Sequence, residues 1–121
     1  MPRTIKARDS YPGISVLVGD ANGPLDLTAA LGAIKVFIQP PGGGSLITLT
    51  GTKRANQTGV GKGWVDAPLT TTTLTSATVG GSFPADCETE VQVAWDVGAT
   101  QITTFPQSGY DILTVEADLG Q

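Results

Sequence analysis

Few residues in this chain are equipped for chemistry, and their types narrow the options quickly. The 121 residues include no histidine, a single cysteine (Cys87) and eleven acidic residues. Without histidine the chain lacks the commonest general acid/base and the commonest metal ligand. A Ser-His-Asp arrangement is therefore excluded. One cysteine makes neither an internal disulfide nor a thiolate metal cluster. With no imidazole to draw off its proton, Cys87 is expected to be a small buried side chain rather than a nucleophile. No spacing among the carboxylates singles out a pair for general acid/base hydrolysis, and the Asp-Thr-Gly of aspartic proteases is absent.

Three short patterns imitate known sites and fail in detail. In "GVGKGW" the lysine and glycines suggest a phosphate-cradling loop, but Asn56 stands where the first glycine belongs and Gly63 where Ser or Thr belongs. In "GDANGPLDL" the spacing of Asp20, Asn22 and Asp26 imitates the start of a calcium loop. Gly23 comes too early there, Pro24 takes a ligand position, and Leu31 replaces the closing glutamate. Turn chemistry accounts for the same residues: Asp and Asn bond their own backbone, Gly23 supplies unusual dihedrals, and Asp26 can brace a short helical turn. "NQT" at 56–58 matches a glycosylation acceptor, but the N-terminus has no secretory pattern, so the match is read as idle. The aromatic residues Tyr11, Trp64, Trp95 and Tyr110 could together offer a sugar-binding platform. Trp95 and Tyr110 sit in strand patterns, however, and are expected in the core.

The elements that must position these residues are strands. Apolar residues make up 40% of the chain and charged residues 15%, with abundant Gly, Thr and Val and no long stretch of helical period, which favours β-structure. "ISVLVGD" (14–20) places Ile14, Val16 and Val18 on one face, and "AIKVFIQP" (33–40) does the same with Ile34, Val36 and Ile38. "LITLTGT" (46–52) and "WVDAPL" (64–69) read as further strands. "TEVQVAWDV" (89–97), a Gly-Ala tip and "TQITTF" (100–105) read as a hairpin, and "YDILTVEADL" (110–119) as the last strand. "PLDLT" (24–28) is a short extended piece, and "TAALG" a single helical turn near 28–32, with Thr28 as cap and Gly32 in the left-handed position. The polar, Gly-rich 53–63 reads as a loop, and 70–88 as a strand or two without clear bounds. About seven short strands with regular turn signals predict an all-β, antiparallel immunoglobulin-like β-sandwich, with 1–12 as an N-terminal arm and 13–121 as one domain.

Charge is unevenly spread. All seven basic residues lie at or before Lys62, whereas Asp86, Glu88, Glu90, Asp96, Asp111, Glu116 and Asp118 follow with no base among them. An acidic body argues against nucleic acid as a partner. No apolar run approaches the roughly 20 residues of a membrane helix, so no membrane partner is expected either. A basic arm carrying Arg3, Lys6 and Arg8 on an acidic body suits contact between copies. Lys53, Arg54 and Lys62, in or beside the 53–63 loop, are the secondary candidates for an interface.

"GDANGPLDLTAALGAIKVFIQPPGG" and "VQVAWDVGATQITTFPQSGYDILTVEADLG" together resemble the small immunoglobulin-like virion domains of tailed phages, among them the N-terminal domain of baseplate upper proteins. The shared pattern is a strand ending in Asp, a turn, an Asp-Leu-Thr step, an alternating strand and, at the end, a hairpin, a Phe-Pro turn and a Gly-Tyr strand. The matching stretches, 14–44 and 89–120, cover roughly half the chain, and the threonine-rich 53–88 departs from the pattern. The resemblance implies a non-enzymatic structural protein without cofactors, made in a host cytoplasm and assembled into a virion. Its partner would be the major capsid protein or another virion structural protein, with self-association. Capsid decoration (a cement protein) is the leading expectation, a tail, neck or baseplate adaptor the alternative, and a soluble carbohydrate-binding β-sandwich the alternative of another class.

Overall fold

The computed structural model describes residues 3–6 (backbone), 13–20, 23–43, 45–69, 83–106 and 109–116. The chain is all-β, as the alternating pattern predicts. The strands are β1 (Arg3–Lys6), β2 (Ile14–Leu17), β3 (Gly19–Asp20), β4 (Gly23–Pro24), β5 (Ile34–Gln39), β6 (Ile47–Lys53), β7 (Trp64–Ala67), β8 (Ala85–Ala94), β9 (Ile102–Phe105) and β10 (Asp111–Glu116). They form a curled sheet in the order β1-β10-β8-β5-β6-β7-β2, with β9 beside the second half of β8 and β3-β4 as a separate two-stranded ladder. Every pairing among these is antiparallel except that of β1 with β10.

The curl has a sequence cause. β6 pairs with β5 through Gly51 and with β7 from Thr52 onward, so one strand serves both halves of the sheet. At the changeover a Cβ on Gly51 would stand 2.7 Å from Val65 Cγ1 and 3.1 Å from Ile34 Cγ2. The missing side chain lets the two halves close on each other, as glycine does where backbones or side chains crowd a bend. Between them lies one core. Ile14, Val16, Val18 and Val65 come from the β2 and β7 side; Ile34, Val36, Ile38, Val91, Val93, Leu113 and Val115 come from the other. Cys87 is fully buried among them, as expected. Burial, with the charge of Asp86 nearby, pushes the thiol pKa up, which disfavours the reactive thiolate.

Several expectations change in detail. The helical turn is a 3-10 turn over Leu27–Ala29, and its cap is Asp26, whose carboxylate accepts the Thr28 N–H at 2.9 Å and the Thr28 hydroxyl at 2.5 Å. Thr28 is thus the capped residue and not the cap. Gly32 is not among the residues of positive φ. It is glycine because a Cβ there would overlap the Asp96 carbonyl oxygen and the Ala94 methyl. β8 extends the expected 89–97 strand backwards to Ala85 and stops before Trp95. β10 covers Asp111–Glu116 of the expected 110–119, and 117–119 lie outside the described residues. The threonine run 70–75 lies outside the described residues. Arg3–Lys6, assigned by sequence to the arm, form β1 along the chain's own last strand, with Arg3 in register with Leu113 and Lys6 with Glu116.

Candidate functional site

Two places on the molecule gather residues that the fold itself does not require at the surface. The first is the end where three connections meet: 18–33, 54–63 and the β8–β9 tip. They are held together by side chains of one kind of logic, in which a polar group replaces a missing backbone partner.

Lys53 reaches across from the end of β6 and donates from Nζ to the carbonyls of Leu27, Thr28 and Ala30 at 3.1, 3.1 and 2.9 Å. These are carbonyls at the end of the 3-10 turn, where a cation is favoured. Gln57, 5% exposed, stitches the next layer. Its Oε1 accepts the Leu27 and Gly63 N–H groups at 3.0 Å each, and its Nε2 donates to the Arg54 and Gly61 carbonyls at 2.8 and 3.4 Å. Arg54 forms a fork with Asp66, Nε to Oδ2 and Nη2 to Oδ1, both at 3.0 Å. Its guanidinium also lies 5.0 Å from the centroid of the Trp64 ring, a cation–π distance. Ser15 donates to the same carboxylate at 2.7 Å, and the Arg54 pair holds the Asp66 carboxyl below the usual carboxylate range. The β8–β9 tip is braced by Asp96. Its Oδ1 accepts the N–H groups of Thr100 and Gln101, both at 2.8 Å, and its Oδ2 accepts the Thr100 hydroxyl at 2.6 Å.

The candidate interface cations therefore divide. Lys53 and Arg54 have partners inside their own chain. Lys62 is exposed and its charge, with that of Lys53, adds to the hydrogen bonds from Thr28 in lowering the Asp26 pKa. Arg3 and Lys6 belong to β1 at the other side of the sheet, and Arg8 lies outside the described residues. Of the six, the side chains of Lys53, Arg54 and Lys62 are the ones that the structure describes, all at or beside the loop end. What the loop end does present is apolar: Leu31 (66% exposed), Val60 (94%) and Val97 (83%), one on each connection.

The second place is the outer face of the sheet over β5, β8 and the start of β10. Because Cys87, Thr89 and Val91 point inward, Asp86, Glu88 and Glu90 point outward. Register puts Phe37 opposite Glu90 and Gln39 opposite Glu88 on one side, with Ile112 opposite Glu88 on the other. Phe37, Gln39, Leu46, Glu88, Glu90 and Tyr110 line a groove of about 310 Å³. Tyr110 is 54% exposed, which corrects its expected place in the core: it precedes the first paired residue of β10, where no facing strand among the described residues covers it. Trp95 does pack against the core, and its Nε1 donates to the Thr103 hydroxyl at 3.0 Å. Trp64 is half-buried under Arg54, and Tyr11 lies outside the described residues. Neither Glu88 nor Glu90 has a hydrogen-bond or ion-pair partner among the described residues.

Sequence reasoning missed both Gln57 and the groove. A glutamine in a polar, Gly-rich loop carries no signal of burial. The groove is assembled by residues 37–46, 88–90 and 110, which only strand pairing makes neighbours. Among the described residues no three acidic or cysteine side chains converge as a metal site requires, and no helix is long and apolar enough to cross a membrane. No family model matches the chain, and neither does any curated protein.

Proposed function

We propose that the chain is a non-enzymatic structural module of a tailed-phage virion, acting by surface contact with another virion protein, with capsid decoration as the leading role and a tail, neck or baseplate adaptor as the alternative. The observation that carries this reading is that the longest strand of the first stretch resembling virion domains pairs directly with the last stretch. β5, from the first stretch, is the direct neighbour of β8, whose second half, with β9 and β10, comes from the last stretch. The order of strands supports an immunoglobulin-like arrangement. β2, β7 and β6 follow one another as strands B, E and D do in that fold, and β5, β8 and β10 as C, F and G do. The three connections at one end then occupy the positions that such domains use for recognition, each with an exposed aliphatic residue available for burial.

The test is stoichiometric. Particles purified from the source should contain the chain at a copy number that is a fixed multiple of a symmetric site, measured by quantitative mass spectrometry. Absence of the chain from washed particles would overturn the reading. A carbohydrate-binding sandwich is a second reading, favoured by one observation: Tyr110 is exposed and shares a groove with Phe37 and two carboxylates. Aromatic rings and acceptor oxygens side by side suit a sugar ring. Binding on a glycan array that Tyr110→Ala abolishes would establish it.

A further inference from the structure

The groove on the outer sheet face does not belong to the loop end on which the proposed function rests for contact, and its chemistry is narrower than that of a generic apolar patch. Glu90 stands on β8 with Phe37 opposite it on the neighbouring strand, and Tyr110 is placed on the far side by the continuing β8–β10 register. The two rings are thus about two strand spacings apart, on the order of 9.5 Å, with a carboxylate between them. A planar or tetrahedral cation with an aliphatic stem fits such a slot. Its charge meets the carboxylate, its faces meet the rings, and Leu46 extends the apolar floor for the stem.

The same strand repeats the signal. Asp86, Glu88 and Glu90 point outward at every second position, about 6.8 Å apart along β8. An extended polypeptide places alternate side chains at the same interval. Glu88 and Glu90 carry no partner within the described residues, and the Thr114 hydroxyl, bonded to Asp86 at 2.7 Å, brings no opposite charge to that carboxylate. A neutral sugar would satisfy the rings but has nothing to offset a row of three negative charges. A basic segment satisfies both.

We infer that the groove formed by Phe37, Leu46, Glu88, Glu90 and Tyr110 receives a basic, extended segment of a partner polypeptide, an arginine or lysine seated between Phe37 and Tyr110 on Glu90 and a second cation two residues away on Glu88. The inference rests on the reading of the chain as a virion contact module and names the chemistry of the partner at one of its surfaces. Arginine is the better occupant of the central slot, because its planar guanidinium pairs with a carboxylate while stacking on a ring.

The test uses the full chain and a labelled peptide with arginine at alternate positions separated by threonine, with a glutamate-for-arginine peptide and a set of neutral oligosaccharides as comparisons. Fluorescence anisotropy should show binding of the arginine peptide that weakens with salt, and no binding of the glutamate peptide. Glu90→Gln and Tyr110→Ala should each weaken it at least tenfold without moving the thermal midpoint, since both side chains are at the surface. Asp26→Asn, the same change of charge at the loop end, should leave it intact. Equal loss in the two carboxylate variants would mean non-specific charge attraction and would overturn the assignment, as would neutral oligosaccharides that bind in place of the peptide. Incorporation into particles separates the two levels. Wild-type chain in particles together with undiminished Glu90→Gln and Tyr110→Ala variants overturns the groove alone, whereas absence of the wild-type chain overturns the virion reading as well.

Discussion

The Gln57 carboxamide oxygen accepts the backbone N–H of Leu27 at 3.0 Å, joining two loops thirty positions apart in sequence. Since the same oxygen takes the Gly63 N–H and the amide nitrogen serves two carbonyls, one buried side chain satisfies four backbone groups of the loop end. Gln57→Leu fills the same space and satisfies none of these groups. An orphaned buried backbone group costs about 1–3 kcal/mol, so the substitution should destabilise the chain by roughly 3 kcal/mol in urea unfolding. A loss below about 1 kcal/mol would mean that water takes over the role of the carboxamide.

Gly32 sits where the 18–33 connection presses on the β8–β9 tip, its N–H donating to the Ala94 carbonyl at 3.0 Å. A methyl group there meets the Asp96 backbone and the Ala94 side chain, neither of which is a flexible end that can swing aside. Gly32→Ala should therefore cost about 1–3 kcal/mol, the usual range for overpacking, and should speed amide exchange at the tip. A neutral effect on the unfolding midpoint would show that the two loops separate freely.

Acid should weaken the fold by a route that can be located. The carboxyls of Asp66, Asp96 and Asp26 are held below the usual range, chiefly by hydrogen bonds from Arg54, Thr100 and Thr28 respectively. A folded-state pKa below the unfolded one means that folding favours the ionised form. That contribution is complete above the unfolded value, about 3.9, and is lost as pH falls through the folded values. The urea midpoint should be level from neutral pH to about 5 and fall below about 4. Asp66→Asn should be destabilised at neutral pH and flatten part of that fall; an identical acid profile in the variant would remove Asp66 from the account.

Cys87 should be silent toward thiol reagents in the folded chain. Its side chain is fully buried and its pKa is raised by burial and by Asp86, so both access and thiolate fraction are low. Reaction with a disulfide reagent should follow global unfolding across a urea series. Rapid labelling in the absence of urea would show that β8 opens locally at its start.

The strand pattern illustrates what was legible from residue order. Ile14, Val16 and Val18, or Ile34, Val36 and Ile38, declare their inward face because the side-chain period of a strand is two, and each of these residues is buried. Short-range turn chemistry was legible for the same reason: Asp26 meets Thr28 two residues on. Tyr110 shows where this logic ends. It belongs to a strand-like run, but its burial depends on whether another strand faces it, and among the described residues none does.

By itself, then, the sequence determined the all-β class, the inward faces, the buried thiol and the exclusion of histidine chemistry, because these follow from residue type and from spacings of a few positions. Only the tertiary structure decided what the polar residues do. Lys53 meets carbonyls 23–26 positions away, Ser15 donates to Asp66 across 51, and Gln57 reaches Leu27 across 30. The same holds for the groove, whose two rings lie far apart in the chain and face one carboxylate only because β5 and β10 flank β8. Pairing partners are chosen by the burial of the whole sheet, and that global choice is not written in any local stretch.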